Sequence, residues 1–355
     1  MGMRVLFYCA NLSGSGHYRC VYPARALRRR GHRADWRVGV SLNPETYDPV
    51  DTSYDVYVIQ MAQHKGVLTL LRRLAALGKV GLVEVDDHVR ATPFYNPAFR
   101  AFRGRDGKAR ALEECARAAD GVTVSTPELA ELFTPLNPNT FPLPNCIDLG
   151  DPAWNPRPEK EAGRVVVGWA GSPTHLEDFR PLVPVLEALC RRYPQVKVAV
   201  GGPKEVFALL DQVPEEQKEY LPPVPFEEYP GMLARFDVGL VPLADNSFNR
   251  CKSDLKGLEY SALGIPFVAS PLPAYRRLVE EGENGFLCSH RREWFGRLSV
   301  LVEKEDLRRR MGRRAREIVE RRMSDHYAPL WEGILETLIL RRRLLSAVEA
   351  ISSPN

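Results

Sequence analysis

The chain lacks any apolar run approaching the ~20 residues that a membrane-spanning helix needs, so no integral membrane segment is expected and peripheral contact is the remaining way to meet a bilayer. It also lacks a Cys-x-x-Cys pair, and its seven cysteines are odd in number and scattered. That excludes a disulfide framework or a zinc ribbon and points to reduced thiols, hence a cytoplasmic protein. The opening Met1-Gly2-Met3-Arg4-Val5-Leu6-Phe7-Tyr8-Cys9 turns polar too quickly for a secretory signal and reads as a first buried strand. Internal repeats and low-complexity segments are missing as well. What is present fits a soluble globular protein: 44% hydrophobic and 26% charged residues, with a net charge of +4. At 355 residues the chain exceeds what one core serves, and two domains of roughly 150 to 180 residues are expected.

Strand-like and helix-like segments alternate over most of the length, the mark of βαβ units and parallel sheets. In the first half, strands are predicted at Arg4–Cys9, Asp35–Val38, Val56–Gln60, Val80–Val85, Val122–Ser125 and Thr140–Leu143. Helices are predicted at Tyr18–Arg30, Val67–Leu77, Ala109–Ala118 and Pro127–Phe133, the last capped by Thr126. Regularity stops in the Pro-rich stretch Asp151–Lys160, which reads as a linker. A second series then begins with strand Arg164–Trp169, helix Asp178–Arg192, strand Val196–Val200, helix Glu227–Arg235 and strand Val238–Val241. The expected organisation is a first domain over 1–150, a linker over 151–163, a second domain over 164–322, and a C-terminal helix with a frayed tail over 323–355. On that last helix Leu330, Ile334, Leu338 and Trp331, Leu335, Ile339 form adjacent apolar stripes.

The most informative stretch runs from Lys252 to Ser270. Leu255, Leu258, Ala262 and Leu263 recur at helical spacing, which sets Lys252, Lys256 and Glu259 on the other side. Gly264 ends the helix, and Ile265-Pro266 leads into a short strand at Phe267–Ala269. A carboxylate that accepts from ribose hydroxyls and two ammonium groups that neutralise a diphosphate are the means of gripping a nucleotide sugar. As a plain surface helix with Glu–Lys pairs it would mean little. The full pattern Lys-x-x-Glu-Tyr-x-Ala-x-Gly-x-Pro-x-Val-x-Ser, however, resembles the donor-site signature of the GT-B glycosyltransferases, especially the retaining family 4 (glycosyl transferases group 1).

The resemblance implies an α/β protein with two doubly wound Rossmann-like domains facing across a cleft and a helical C-terminal extension crossing back to the first domain. It implies transfer of a sugar from a nucleotide-diphosphate sugar, UDP- or GDP-linked, to an acceptor hydroxyl with retention, and no cofactor or metal. Donor contacts are expected at Gly171, Ser172, Thr174, Asn249, Arg250, Lys252, Lys256 and Glu259, with Glu259 on the ribose. Acceptor and phosphate contacts are expected from the loop carrying Gly14, Gly16, His17 and Arg19, where the glycines allow close approach and a helix start offers N–H groups to an anion. Asp86, Asp87, His88 and His175 are the catalytic candidates. From their own chemistry the Asp86–His88 carboxylates and imidazole suit a metal, a base or a turn cap. The retaining motif carries two glutamates eight positions apart, and here the first of those positions is Cys251.

The acceptor stays open among a glycan, a lipid-linked compound, a small molecule and nucleic acid. Arg308-Arg309-Arg310, Arg313-Arg314, Arg316 and Arg321-Arg322 read as a solvated face or as an attraction for an anionic partner. Alternatives on the same fold are a DNA-modifying glucosyltransferase, a nucleotide-sugar epimerase or hydrolase, and a non-catalytic nucleotide-sugar binder.

Overall fold

The computed structural model describes residues 2–43, 45–103, 107–157 and 160–352, with side chains to 348. Two six-stranded parallel sheets organise it. The first contains β1 (Arg4–Cys9), β2 (Arg33–Val38), β3 (Val56–Gln60), β4 (Val80–Val85), β5 (Gly121–Val124) and β6 (Thr140–Pro142), in the order β2-β1-β3-β4-β5-β6. The second contains β7 (Val165–Ala170), β8 (Val196–Gly201), β9 (Lys218–Leu221), β10 (Val238–Val241), β11 (Phe267–Ala269) and β12 (Gly285–Leu287), in the order β12-β11-β10-β7-β8-β9. Strands buried on both faces read as continuous apolar runs, as β3 and β4 do, because helices cover both sides.

Each sheet reverses its direction of growth once, between β1 and β3 and between β7 and β10. Ligands of such sheets bind at the carboxyl ends of the strands beside that reversal. The loops after β1, β7 and β10 lie at those points, and with the loop after β4, one strand further along, they hold most of the candidate residues.

Several expectations change in detail. The helix expected over Tyr18–Arg30 starts as a π-helix, His17–Val21, and only then becomes α-helical over Tyr22–Arg29. The helix expected over Asp178–Arg192 is broken into Leu176–Phe179, a 3-10 turn Arg180–Leu182 and Val183–Arg192, because Pro181 and Pro184 interrupt it. The signature helix covers Leu255–Ala262, so Lys252 lies in the turn ahead of it rather than on its face. Strand β9 was not foreseen, because its sequence Lys-Glu-Tyr-Leu carries little apolar pattern.

Two missing side chains let aromatic rings lie on the second sheet, one of them from the signature helix. Gly168 of β7 and Gly239 of β10 are in register as neighbours, and a Cβ at either would lie within 2.1 Å and 2.4 Å of the rings of Phe236 and Tyr260. Tyr260 belongs to the signature helix and is fully buried. Its ring thus lies directly on the sheet, which fixes the height of Lys256 and Glu259.

The start of the linker packs on the first domain. Trp154 is buried and donates from Nε1 to the Tyr22 hydroxyl at 2.8 Å, and Arg25 pairs with Asp151. Ile147 and Met323 form a parallel bridge, so the two crossings between the domains run side by side. The final helix, Ser324–Ser352, packs on the first domain. Trp331, Ile334, Leu335 and Leu338 are buried there, with Trp331 edge-on to Phe7 at 5.6 Å, whereas Leu330 faces solvent.

Candidate active site

A cavity of about 160 Å³ lies between the two sheets' carboxyl ends. Ser15, Asp86, Asp87 and Asn145 line it from the first domain, and Trp169, His175, Lys252 and Lys256 from the second. Lys252 Nζ donates to Asp87 Oδ1 across the cleft at 3.0 Å while its side chain stays largely covered. Without a ligand, the ammonium group thus already holds an anionic oxygen.

Asp86 follows β4 and is held by Gln60 Nε2 at 3.5 Å, the same amide that donates to Ser15 Oγ. Burial, and then the charge of Asp87, push its carboxyl above the usual range. His175 bonds through Nδ1 to Asp178 Oδ2 at 2.9 Å. Asp178 Oδ1 in turn accepts from Ala244 N and from Asn249 Nδ2. Burial lowers the His175 pKa despite that carboxylate. The result is an oriented imidazole at the cavity wall, with Nε2 free to serve as acceptor or, once protonated, as donor to an anion.

Asp178 was not foreseen, although the His-x-x-Asp spacing was there to read. The buried Asn249 is its support and does not itself touch the cavity. Arg250 also falls outside, exposed and paired with Asp245. Ser172 and Thr174 hydrogen-bond each other at 2.5 Å beside Gly171, and none of the three lines the cavity. His88 is half-buried and likewise off the cavity, its pKa lowered by burial and by Arg90.

The loop after β1 departs furthest from expectation. Gly14 and Gly16 precede the π-helix, whose wider turn directs successive side chains into different partners. Arg19, expected as a phosphate or acceptor contact, is 2% exposed. Its Nε donates to Glu84 Oε1 at 2.7 Å, and Nη1 to Leu143 O and Asn145 Oδ1. It is a buried clamp, because Glu84 at the end of β4 is wholly enclosed and requires a cation. His17 is also buried, stacked on Phe226 with ring centroids 3.7 Å apart.

Glu259 is 2% exposed and receives Tyr18 Oη at 2.9 Å, Tyr229 Oη at 3.0 Å and Lys256 Nζ at 3.0 Å. Neither phenol was foreseen. Asp254 is held by Arg322, which also donates to Asn145 O and ties the seam together. No group of residues able to hold a metal ion occurs among the described residues. No helix is long and apolar enough to cross a membrane among them either.

Residues 180–328 match the family model described as "Glycosyl transferase-like". The fold of the whole chain is that of the GT-B glycosyltransferases. HepE of Anabaena, solved with UDP, is similar over 94% of this chain and 100% of that one, at 14% identity and a TM-score of 0.67. Sucrose-phosphate synthase from Thermosynechococcus elongatus is similar over 98% and 100%, at 16% identity and 0.64. TarM of S. aureus, solved with fondaparinux, α-GlcNAc-glycerol and UDP, is similar over 79% and 55%, at 13% identity and 0.58. Among curated proteins none matches the chain by sequence.

Proposed function

We propose that the protein is a glycosyltransferase that takes a UDP-sugar, sets its diphosphate against Lys252 and Lys256 and its ribose against Glu259, and passes the sugar with retention to an acceptor hydroxyl entering beside Asp86 and Asp87. The observation that carries the reading is the convergence of Lys252, Lys256 and His175 with Asp86 and Asp87 on one cavity at the carboxyl ends of both sheets. Charge builds on the leaving diphosphate as the glycosidic bond breaks, so preorganised cations there do most of the chemistry. Lys252 exchanges Asp87 for a phosphate oxygen, which frees that carboxylate to orient the acceptor. Relatives of the same fold solved with UDP and with UDP-glucose support the choice of uridine.

Asp86 favours a second course. A carboxylate with a raised pKa at the cavity wall is suited to take the acceptor proton, as inversion requires. Anomeric configuration of the product, read by proton NMR, decides between the two.

The test is turnover of UDP-glucose, followed as UDP release with a panel of saccharide acceptors. Replacing Lys252 and Lys256 together by Ala is expected to lower turnover about 10²-fold or more, and Lys252→Ala alone, which leaves the buried Glu259 its cation, to lower turnover with little change in melting temperature. Full activity in the double variant would put the diphosphate elsewhere.

A further inference from the structure

A nucleoside offers a protein two things to hold, a flat ring and a pair of neighbouring hydroxyls. On the second domain, Phe226 and Glu259 supply the matching pair, a ring face and a carboxylate. Both are occupied, and by consecutive residues of the first domain. The His17 imidazole lies on the Phe226 ring with centroids 3.7 Å apart and planes within 7°. The Tyr18 hydroxyl donates to Glu259 Oε1 at 2.9 Å.

We propose that His17 and Tyr18 act as an internal stand-in for the donor's nucleoside, and that a donor binds by displacing them. The inference rests on the reading that Glu259 takes the ribose hydroxyls. Three further observations support it. Among the described residues, the second domain by itself satisfies one oxygen of Glu259, since Tyr229 and Lys256 both donate to Oε2 and leave Oε1 to Tyr18. The cleft cavity of about 160 Å³ falls short of the roughly 300 Å³ at which ligand pockets begin, and Glu259 does not line it. His17 and Tyr18 sit on a π-helical turn, a rare geometry that recurs at functional sites and is here what brings both side chains to the second domain.

Displacement couples donor binding to movement of the first domain. When the nucleoside takes Phe226 and Glu259, the π-helical turn must withdraw, and the cleft opens to the acceptor. With the site empty, the turn returns and excludes water from the charged pocket.

UDP affinity of the full chain, measured by isothermal titration calorimetry for wild type, Tyr18→Phe and Glu259→Gln, tests this. Tyr18→Phe keeps the ring and removes only the competing hydroxyl, so UDP is expected to bind about tenfold more tightly, the scale of one hydrogen bond to a charged group. His17→Ala, which uncovers Phe226, is expected to act in the same direction. Damage to the fold would weaken binding, so a gain is not a structural artefact. If Glu259→Gln weakens UDP binding while Tyr18→Phe and His17→Ala leave it unchanged or weaker, the stand-in is wrong and the donor-site reading survives. If Glu259→Gln leaves UDP binding unchanged, the donor-site reading fails and the stand-in falls with it.

Discussion

His17, His88 and His175 each lie where burial lowers the affinity of the imidazole for a proton. Their folded pKa values fall below the unfolded one of about 6.5, so unfolding takes up protons once the pH drops below that value. Stability from these residues is complete above about pH 6.5 and is lost as the pH falls through the window beneath it. The buried carboxyls Glu84 and Asp86 are raised and act in the opposite sense, so a single variant isolates the effect better than the whole-protein curve. His88 is the one to change, being off the cavity. Burial and Arg90 hold its pKa down while Glu113 and Asp87 oppose them. Melting temperatures between pH 7.5 and 5.5 should fall less steeply for His88→Gln than for wild type.

The same scale shows what a sequence conceals. Lys252, Lys256 and Glu259 were legible as a group because their relation is local. Tyr18 meets Glu259 from 241 positions away, and nothing in a tyrosine near a glycine-rich loop announces such a partner. Arg19 was misread for the same reason. Its role depends on Glu84, a charge inside an otherwise apolar strand, and a buried carboxylate is itself the signal that a buried cation must be found.

Among the elements, β1, β3, β4, β10 and β11 were read with their observed bounds, since largely buried parallel strands declare themselves by near-continuous apolar runs. The π-helix was not readable, because its residues fit an ordinary helix equally well. The seat of the signature helix was equally hidden, in Gly239 of β10, which makes room for Tyr260. There the physical consequence is sharp. Gly239→Ala sets a methyl group into the Tyr260 ring, and overpacking of this kind costs about 1–3 kcal/mol. Chemical denaturation should register that loss. Because Tyr260 sets the height of Lys256 and Glu259, UDP affinity should fall with it.

At the scale of the whole molecule, the two-domain plan was legible from the alternation of elements and the Pro-rich break, and the return of the final helix from the family resemblance. The closeness of the two crossings at Ile147 and Met323 was not, for it depends on a pairing between a residue just ahead of the linker and a segment 176 positions later. The last helix serves the first domain as part of its core. Trp331→Ala removes a large buried side chain from against Phe7, and truncations of that size cost about 3–5 kcal/mol. A fall in unfolding free energy of that size, with UDP affinity retained, is the expected result, because the proposed donor residues belong to the second domain.

All seven thiols lie inside, and one of them straddles the seam. Cys251 is covered by the core of the first domain, and its carbonyl oxygen accepts from Thr126 of that domain. The molecule therefore carries its own clock. Alkylating reagents are expected to reach the Cys251 sulfur only while the domains are apart. The labelling rate at that sulfur counts the openings, without a dye, a tag or an engineered reporter.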